Sequence, residues 1–258
     1  MPRRLGQHFL TRQSVLARIA DAACPEPCNL VIEIGPGKGA LTTHLLERAA
    51  RVVAIEVDPH LVDYLRQKFR EQPRLEIVDG DVLKTDLGQW GPASVAGNLP
   101  YYITSPILER VFGMGPAWER AVFLVQKEVA ERLVSPPGTR TYGYLTVQTR
   151  LFAEPELLFP VAAGAFQPPP KVESAVVRLT PRDSAKDLAI GDTKEFLGFV
   201  SQCFGHKRKT LRNNLAPVYG KERVDELPEA RSRAEQLSIA QLAALYRKLC
   251  PQFPNADN

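Results

Sequence analysis

Short β-rich runs alternate with amphipathic runs over the first half of this chain, and that alternation most restricts what it can fold into. "NLVIEIG" (29–35), "RVVAIEV" (51–57), "LEIVDGD" (75–81), "ASVAGN" (93–98) and "RAVFLVQK" (120–127) read as strands. Between them "ALTTHLLERA" (40–49), "DPHLVDYLRQKFRE" (58–71) and "ITSPILERVF" (103–112) carry helical periodicity, with Asp58 as cap and Pro59 as first helical residue. Such alternation predicts an α/β fold, a mostly parallel sheet wrapped by helices on both faces. Ligands of these sheets bind beyond the carboxyl ends of the strands. Gly35, Glu56, Asp81, Asn98 and Gln126 all fall on that rim.

From Pro155 the alternation stops. "PELLFPV" (155–161) and "SAVVRLTP" (174–181) are strands without a full crossover helix between them, which suggests a closing antiparallel pair. The polar stretch 182–192 reads as a linker, and from residue 193 onward only helical periodicity remains. The expected organisation is an α/β domain over 1–182, including an N-terminal arm, and a small all-α domain over 193–258. A length of 258 residues accommodates this, and 44% hydrophobic with 24% charged residues is ordinary for a globular protein. No apolar run reaches the length of a membrane span, and the N-terminus lacks the apolar core of a secretory signal, so a cytoplasmic, membrane-free protein is expected. Cys24 and Cys28 frame "CPEPC", but no histidine is spaced to complete a metal site. Free thiols and no metal are the expectation for all four cysteines.

Chemistry concentrates at the strand ends. "EIGPGKGALT" (33–42) is a glycine turn in which Gly35 and Gly37 admit a ligand to the backbone, while Gly39 and Ala40 allow close strand–helix packing. Lys38 precedes a glycine and not Ser or Thr, so this is not a Walker loop. Glu56, ~20 residues on, suits a ribose diol; an exposed glutamate is the other reading. Asp81 can accept from an adenine amino group or cap the following turn. Together Gly35, Glu56 and Asp81 describe a nucleoside site without a phosphate grip, which points to S-adenosylmethionine. A nicotinamide enzyme fits the glycine turn but leaves "GNLPYY" (97–102) as a mere turn.

"NLPY" resembles the signature of amino-methyltransferases. In order along the chain, "LGQHFL", "EIGPGKGALT", "AIEVD", "GDVLK", "GNLPYYITSPIL", "VQKEVAERL", "TYGYLTV", "FQPPPKVESAVVRL", "KRKTLRNNL" and "RAEQLS" resemble the rRNA adenine N6-dimethyltransferase family, its small-subunit branch more than its Erm branch. The resemblance implies a Rossmann-like class I methyltransferase fold with a seven-stranded sheet and a small all-α C-terminal domain. It implies S-adenosylmethionine held by His8, Leu10, Gly35, Gly37, Glu56, Asp81, Val82 and Asn98. His8 stands where Asn is commoner and adds a group able to titrate near pH 6–7. The implied substrate is two adjacent adenines in the 3′-terminal hairpin loop of small-subunit (16S) rRNA, in the course of subunit maturation.

The adenine amine is a weak nucleophile whose lone pair is delocalised into the ring. Acceptors that orient it and stabilise developing positive charge are what help it, here the Asn98 side-chain oxygen and a carbonyl near Leu99. Pro100 would stiffen the turn and Tyr101 would stack on a flipped base. Phe166 would close the sandwich by resemblance; on residue type alone it is a core aromatic. Gln126, Lys127 and Glu128 read as pocket wall. Arg3 and Arg4 in the arm, and Lys207, Arg208, Lys209 and Arg212 on an expected helix, are either a solvated face or a phosphate grip. Erm-type methylation of 23S rRNA and a mainly non-catalytic assembly factor are the alternatives, and a monomer is the default.

Overall fold

In the computed structural model, which describes residues 8–100 and 102–250, the expected strands pair side by side. In chain order the strands are β1 (Phe9–Leu10), β2 (Cys28–Ile34), β3 (Ala49–Glu56), β4 (Leu75–Asp79), β5 (Ala93–Asn98), β6 (Trp118–Gln126), β7 (Ala153–Val161), β8 (Phe166–Gln167) and β9 (Ser174–Pro181). The helices are α1 (Gln13–Ala23), α2 (Ala40–Leu46), α3 (Pro59–Lys68), α4 (Thr104–Phe112), α5 (Lys127–Val134), α6 (Tyr144–Phe152), α7 (Ser184–Asp187), α8 (Thr193–Cys203), α9 (Leu211–Tyr219), α10 (Lys221–Asp225) and α11 (Ile239–Leu249). Seven strands form one sheet in the order β4-β3-β2-β5-β6-β9-β7, and β1 pairs with β8 apart from it.

From β4 to β6 every pairing is parallel, whereas β9 runs antiparallel to β6. The central strands are buried on both faces, which is why "LVIEI" and "VVAIE" read as nearly unbroken apolar runs. Pro155 and Pro160 sit in β7, an edge strand of the sheet, the position in which a sheet tolerates proline. The chain leaves β2 first toward β3 and β4 and later returns to place β5 on the other side of β2. The crevice between the ends of β2 and β5 is therefore the switch point where such sheets bind ligands.

Local chemistry fits these elements. Asp58 caps α3 by accepting from the His60 N–H at 3.0 Å, with Pro59 at the first helical position, as the sequence predicts. Gly97, opposite Ile34 across the β2–β5 ladder, has no room for a side chain: a Cβ there would lie 2.5 Å from the Ile34 carbonyl oxygen. Leu16 and Ile19 of α1 and Leu45 of α2 pack in one core cluster with Val31, Val52 and Val122 of the sheet.

The chain divides otherwise than at residues 182 and 193. One compact unit comprises the chain up to Ala130 with Pro155–Pro181; the second comprises Glu131–Glu154 with the chain from Arg182 onward. The reason is α6: its Val147 and Leu151 are buried among Phe196, Phe199, Leu211, Leu215 and Tyr246, so this insertion completes the helical core. Residues 182–192 are not a free linker. The Arg182 N–H donates to the Phe152 carbonyl at 2.9 Å, the Ser184 hydroxyl donates to the Arg150 carbonyl at 2.8 Å, and α7 forms within the segment. Nor are all four cysteines free. The proline-flanked turn from α1 into β2 brings Cys24 and Cys28 to a Cα separation of 5.8 Å and they are disulfide-bonded, leaving Cys203 and Cys250 as thiols.

Gly97→Ala should force β5 away from β2 and destabilise the protein by about 1–3 kcal/mol, the usual cost of overpacking. A lower midpoint in urea denaturation checks this.

Candidate active site

A cavity of about 340 Å³ opens at the β2–β5 switch point, within the first unit. Its walls come from the ends of β2, β3 and β5, the turns that follow β2, β3 and β4, and the N-terminal arm. His8, Leu10, Gly35, Gly37, Glu56, Asp81, Val82, Asn98, Leu99 and Pro100 all line it. Four of the five rim residues expected from the strand ends thus meet. Gln126 does not line the cavity, nor do Lys127 and Glu128; Lys127 pairs with Glu173 at 2.7 Å.

The glycine turn leaves β2 through Gly35, whose φ of +67° favours glycine and around which an added Cβ would find open space. The backbone there is bare to the cavity. Gly37 differs from the expectation of open backbone, since the Phe9 ring of the arm occupies the space a side chain would need, 3.0 Å from an added Cβ. Gly39 plays the packing role expected of it. A Cβ there would strike Phe69 at 2.5 Å, so only glycine lets the turn approach the end of α3. Lys68 closes this corner, its Nζ donating to the Lys38 carbonyl at 2.8 Å and the Gly39 carbonyl at 3.3 Å.

Glu56 is not the exposed glutamate of the alternative reading: it is 5% exposed. Its Oε2 accepts from the Gly37 N–H at 3.1 Å, and its Oε1 accepts from the Val57 and Asp58 N–H groups at 3.0 and 3.1 Å. A carboxylate has about four acceptor positions, so one remains for a ligand hydroxyl. Asp81 takes the capping role of its two readings and also faces the cavity. Its Oδ1 accepts from the Leu83 N–H at 2.9 Å and caps the turn, while the residue lines the cavity beside buried Val82.

Asn98 ends β5, and its Nδ2 donates to the main-chain carbonyl of His8 at 3.1 Å. A carbonyl accepts only from the amide's NH2 half, so this bond directs the Oδ1 acceptor away from the arm. The arm is itself anchored: β1 pairs with β8, and His8 Nδ1 donates to the Pro168 carbonyl at 2.8 Å. The Leu99 N–H donates to the Leu124 carbonyl at 3.0 Å, and the Pro100 carbonyl accepts from the Ile103 N–H at 3.2 Å and the Thr104 hydroxyl at 3.3 Å. "NLP" is thus a rigid corner between β5 and α4.

Other expected residues fall elsewhere. Phe166 does not line the cavity; pairing of β8 with β1 sets it opposite Leu10 and buries it to 5% in the core, the bland reading of its type. Arg3, Arg4 and Tyr101 lie outside the described residues. Lys207, Arg208 and Lys209 sit on the turn between α8 and α9, not on a helix, and Arg212 lies in the first turn of α9. Arg212 is bound bidentately by Asp225, and Lys207 Nζ donates to the Arg140 carbonyl. No group of His, Cys, Asp and Glu arranged to hold a metal occurs among the described residues.

Glu33 and Tyr102 are among the cavity residues not singled out from sequence. Glu33, in the apolar run of β2, is 1% exposed and accepts from the Thr42 hydroxyl at 2.6 Å. Burial first, then the nearby Glu56 charge, outweigh the Thr42 bond and Lys68 and push its pKa up to about 7. A carboxylate inside a buried-strand pattern was the available signal. Tyr102, at the cavity mouth, is 68% exposed.

Residues 2–249 match the family model for ribosomal RNA adenine dimethylase. The chain belongs to that family. It is 41% identical to the ribosomal RNA small subunit methyltransferase A of Acidobacterium capsulatum, over 95% of this chain and 90% of that one. Among solved structures it is similar to a dimethyladenosine transferase from Plasmodium falciparum, with a TM-score of 0.78, 26% identity and coverage of 93% and 97% of the two chains. It is also similar to the 23S rRNA methyltransferase ErmE, with a TM-score of 0.72, 29% identity and coverage of 93% and 99%. The fold is accordingly that of class I methyltransferases, with helices filling the C-terminal part.

In Glu56→Gln an amide NH2 replaces one oxygen and faces a backbone N–H that it cannot accept from. A loss of about 1–3 kcal/mol in denaturant-induced unfolding is the expected outcome.

Proposed function

We propose that this protein dimethylates the N6 amines of adenines in small-subunit rRNA, taking methyl groups from S-adenosylmethionine. The observation that carries the proposal is Asn98. Its donor half is engaged by the arm, so its acceptor half is left for the substrate amine at the mouth of a nucleoside-sized cavity. The 41% identity to a small-subunit enzyme, against 29% to ErmE, favours the small-subunit branch over the Erm branch.

The residues fit the methyl donor. Gly35 leaves the backbone bare, Glu56 keeps an acceptor for a ribose hydroxyl, and Asp81 and Val82 offer an acceptor and an apolar wall for adenine. Leu10 and His8 close the cavity from the arm. When bound, the donor supplies a methyl on a positively charged sulfur. The chain orients the nucleophile: Asn98 Oδ1 and the Leu99 carbonyl accept from the target amine, localise its lone pair and stabilise the positive charge that develops on nitrogen. No strong base is needed, because the amine proton becomes acidic as the N–C bond forms. Pro100 holds the corner, and Tyr101 is the stacking face for the flipped base. Exposed Tyr102 offers an aromatic ring at the mouth.

Arg208 and Lys209, on the turn before α9, are the phosphate-gripping candidates of the helical unit, because Lys207 and Arg212 are engaged within it. The reading extends to two adjacent adenines in the 3′-terminal hairpin loop of 16S rRNA, a role in subunit maturation, a cytoplasmic location and a monomeric enzyme. No helix among the described residues is long and apolar enough to cross a membrane.

Unmethylated small subunits incubated with labelled methyl donor should yield dimethyladenosine in that hairpin, read by mass spectrometry of nucleosides. Label only in large-subunit RNA would place the enzyme in the Erm branch, and no label with cofactor bound would favour a non-catalytic assembly factor. Asn98→Ala should slow transfer by about 10²–10³ while calorimetry still detects cofactor binding. Arg208→Glu with Lys209→Glu should weaken RNA binding and lower its salt slope by about 2, while the stability to urea stays unchanged.

A further inference from the structure

Among the described residues the large apolar side chains of Val57, Tyr64, Tyr102, Leu157, Val172 and Val218 are exposed, and of these Val57 and Tyr102 line the cavity. Val57 directly follows Glu56 at the end of β3 and so belongs to the side proposed for the cofactor. Tyr102 follows the Asn98–Pro100 corner that ends β5, on the side proposed for the target amine. It is 68% exposed, although Leu99 before it and Thr104 after it are buried. No hydrogen bond, ion pair or ring contact engages its side chain among the described residues. The chain that carries the ring is nevertheless fixed. The Leu99 N–H is tied to β6 and the Pro100 carbonyl to Ile103 and Thr104, while Ile107 and Leu108 anchor α4 in the core. A bare aromatic face on a rigid corner is costly in water and loses little conformational freedom when something covers it.

The chemistry of base flipping supplies an occupant. An enzyme that draws one nucleotide out of RNA unstacks it from its neighbours. The base next to the gap is left with an uncovered π face, and readers of single-stranded RNA cover such faces with aromatic rings. Resting on the rRNA-methylation reading, the flipped adenine fills the cavity while its neighbour stays outside, at the mouth where Tyr102 stands. We propose that Tyr102 is the stacking platform for the base adjacent to the flipped adenine, and thereby a residue that selects what stands beside the target.

Stacking suits a substrate of two adjacent adenines. Dimethylation removes both N–H donors of the N6 amine but leaves the π face of the base in place. A hydrogen-bonding side chain at the mouth would lose its hold on an adenine once that adenine is methylated, whereas a ring keeps it. Purines offer a larger face than pyrimidines, so the platform favours a purine neighbour. The Tyr102 hydroxyl takes no part, and phenylalanine serves equally.

Small subunits reconstituted on transcribed rRNA test this. Each adenine of the pair is replaced in turn by guanine or by uracil. Methyl transfer to the remaining adenine is followed, together with subunit binding in the presence of S-adenosylhomocysteine. The platform lies on one side of the target, so one of the two placements should show weaker binding and a higher KM with uracil than with guanine. In that placement Tyr102→Ala and Tyr102→Leu should raise KM and Kd for the guanine-bearing subunits about 5- to 100-fold. They should raise both less for the uracil-bearing subunits, so that most of the preference disappears. Tyr102→Phe should behave as the wild type. Affinity for S-adenosylhomocysteine, read by calorimetry, and the urea midpoint should be unchanged in all three variants, as expected of an exposed position outside the core. Equal losses for guanine and uracil in both placements, a Tyr102→Phe variant as impaired as Tyr102→Ala, or a loss that falls on S-adenosylhomocysteine binding overturns the proposal. Absence of methyl transfer by the wild type to subunits carrying both adenines would instead overturn the reading on which it rests.

Discussion

The close parallel pairing of β2 with β5 is the constraint on which the site depends. Strand order reverses there, and Gly97 lets the two backbones approach with only the Ile34 carbonyl between them. That contact sets Gly35 and Asn98 on opposite sides of one crevice, the first presenting bare backbone and the second a side-chain amide. Everything the cavity does begins with the separation of those two strand ends, and a side chain at position 97 would alter it.

The second determinant is the N-terminal arm. A two-residue strand has little stability alone, yet β1 is fixed by pairing with β8, by the His8–Pro168 hydrogen bond and by Phe9 over Gly37. So fixed, it presents the His8 carbonyl to Asn98 and thereby decides which half of that amide is held by the arm and which is left to the cavity. An orientation that matters for chemistry at β5 is imposed by backbone 90 residues earlier in the chain.

Electrostatics complete the pattern. Glu33, Glu56 and Asp81 come from three adjacent strands or the turns after them, and each is treated differently by its neighbours. Backbone N–H groups hold Glu56 and Asp81 in place, whereas Glu33 has a hydroxyl and the weaker pull of Lys68, so burial dominates its protonation. A cavity lined by carboxylates suits a cationic cofactor and disfavours a phosphate-bearing one, in keeping with a glycine turn whose Lys38 is followed by glycine and not by Ser or Thr.

Strand ends, helix caps and the cavity-lining carboxylates Glu56 and Asp81 were legible in the sequence because each rests on local rules. Buried parallel strands read as apolar runs, Asp58-Pro59 begins a helix, and Gly35 and Asn98 stand where such runs stop. What the tertiary structure decided depends on contacts between distant segments. Periodicity reports that α6 is amphipathic but not that its apolar face completes a core with helices 50 to 100 residues later. The "CPEPC" spacing is compatible with free or bonded thiols until the turn brings Cys24 to Cys28. Phe166 has the right type for a stacking face, but pairing of β8 with β1 buries it. A basic run shows charge but not that Arg212 faces Asp225. Local preference settles which residues form an element and which stand at its end. The free energy of burial and of charge pairing, summed over partners far apart in sequence, settles which of those residues remain available to a ligand.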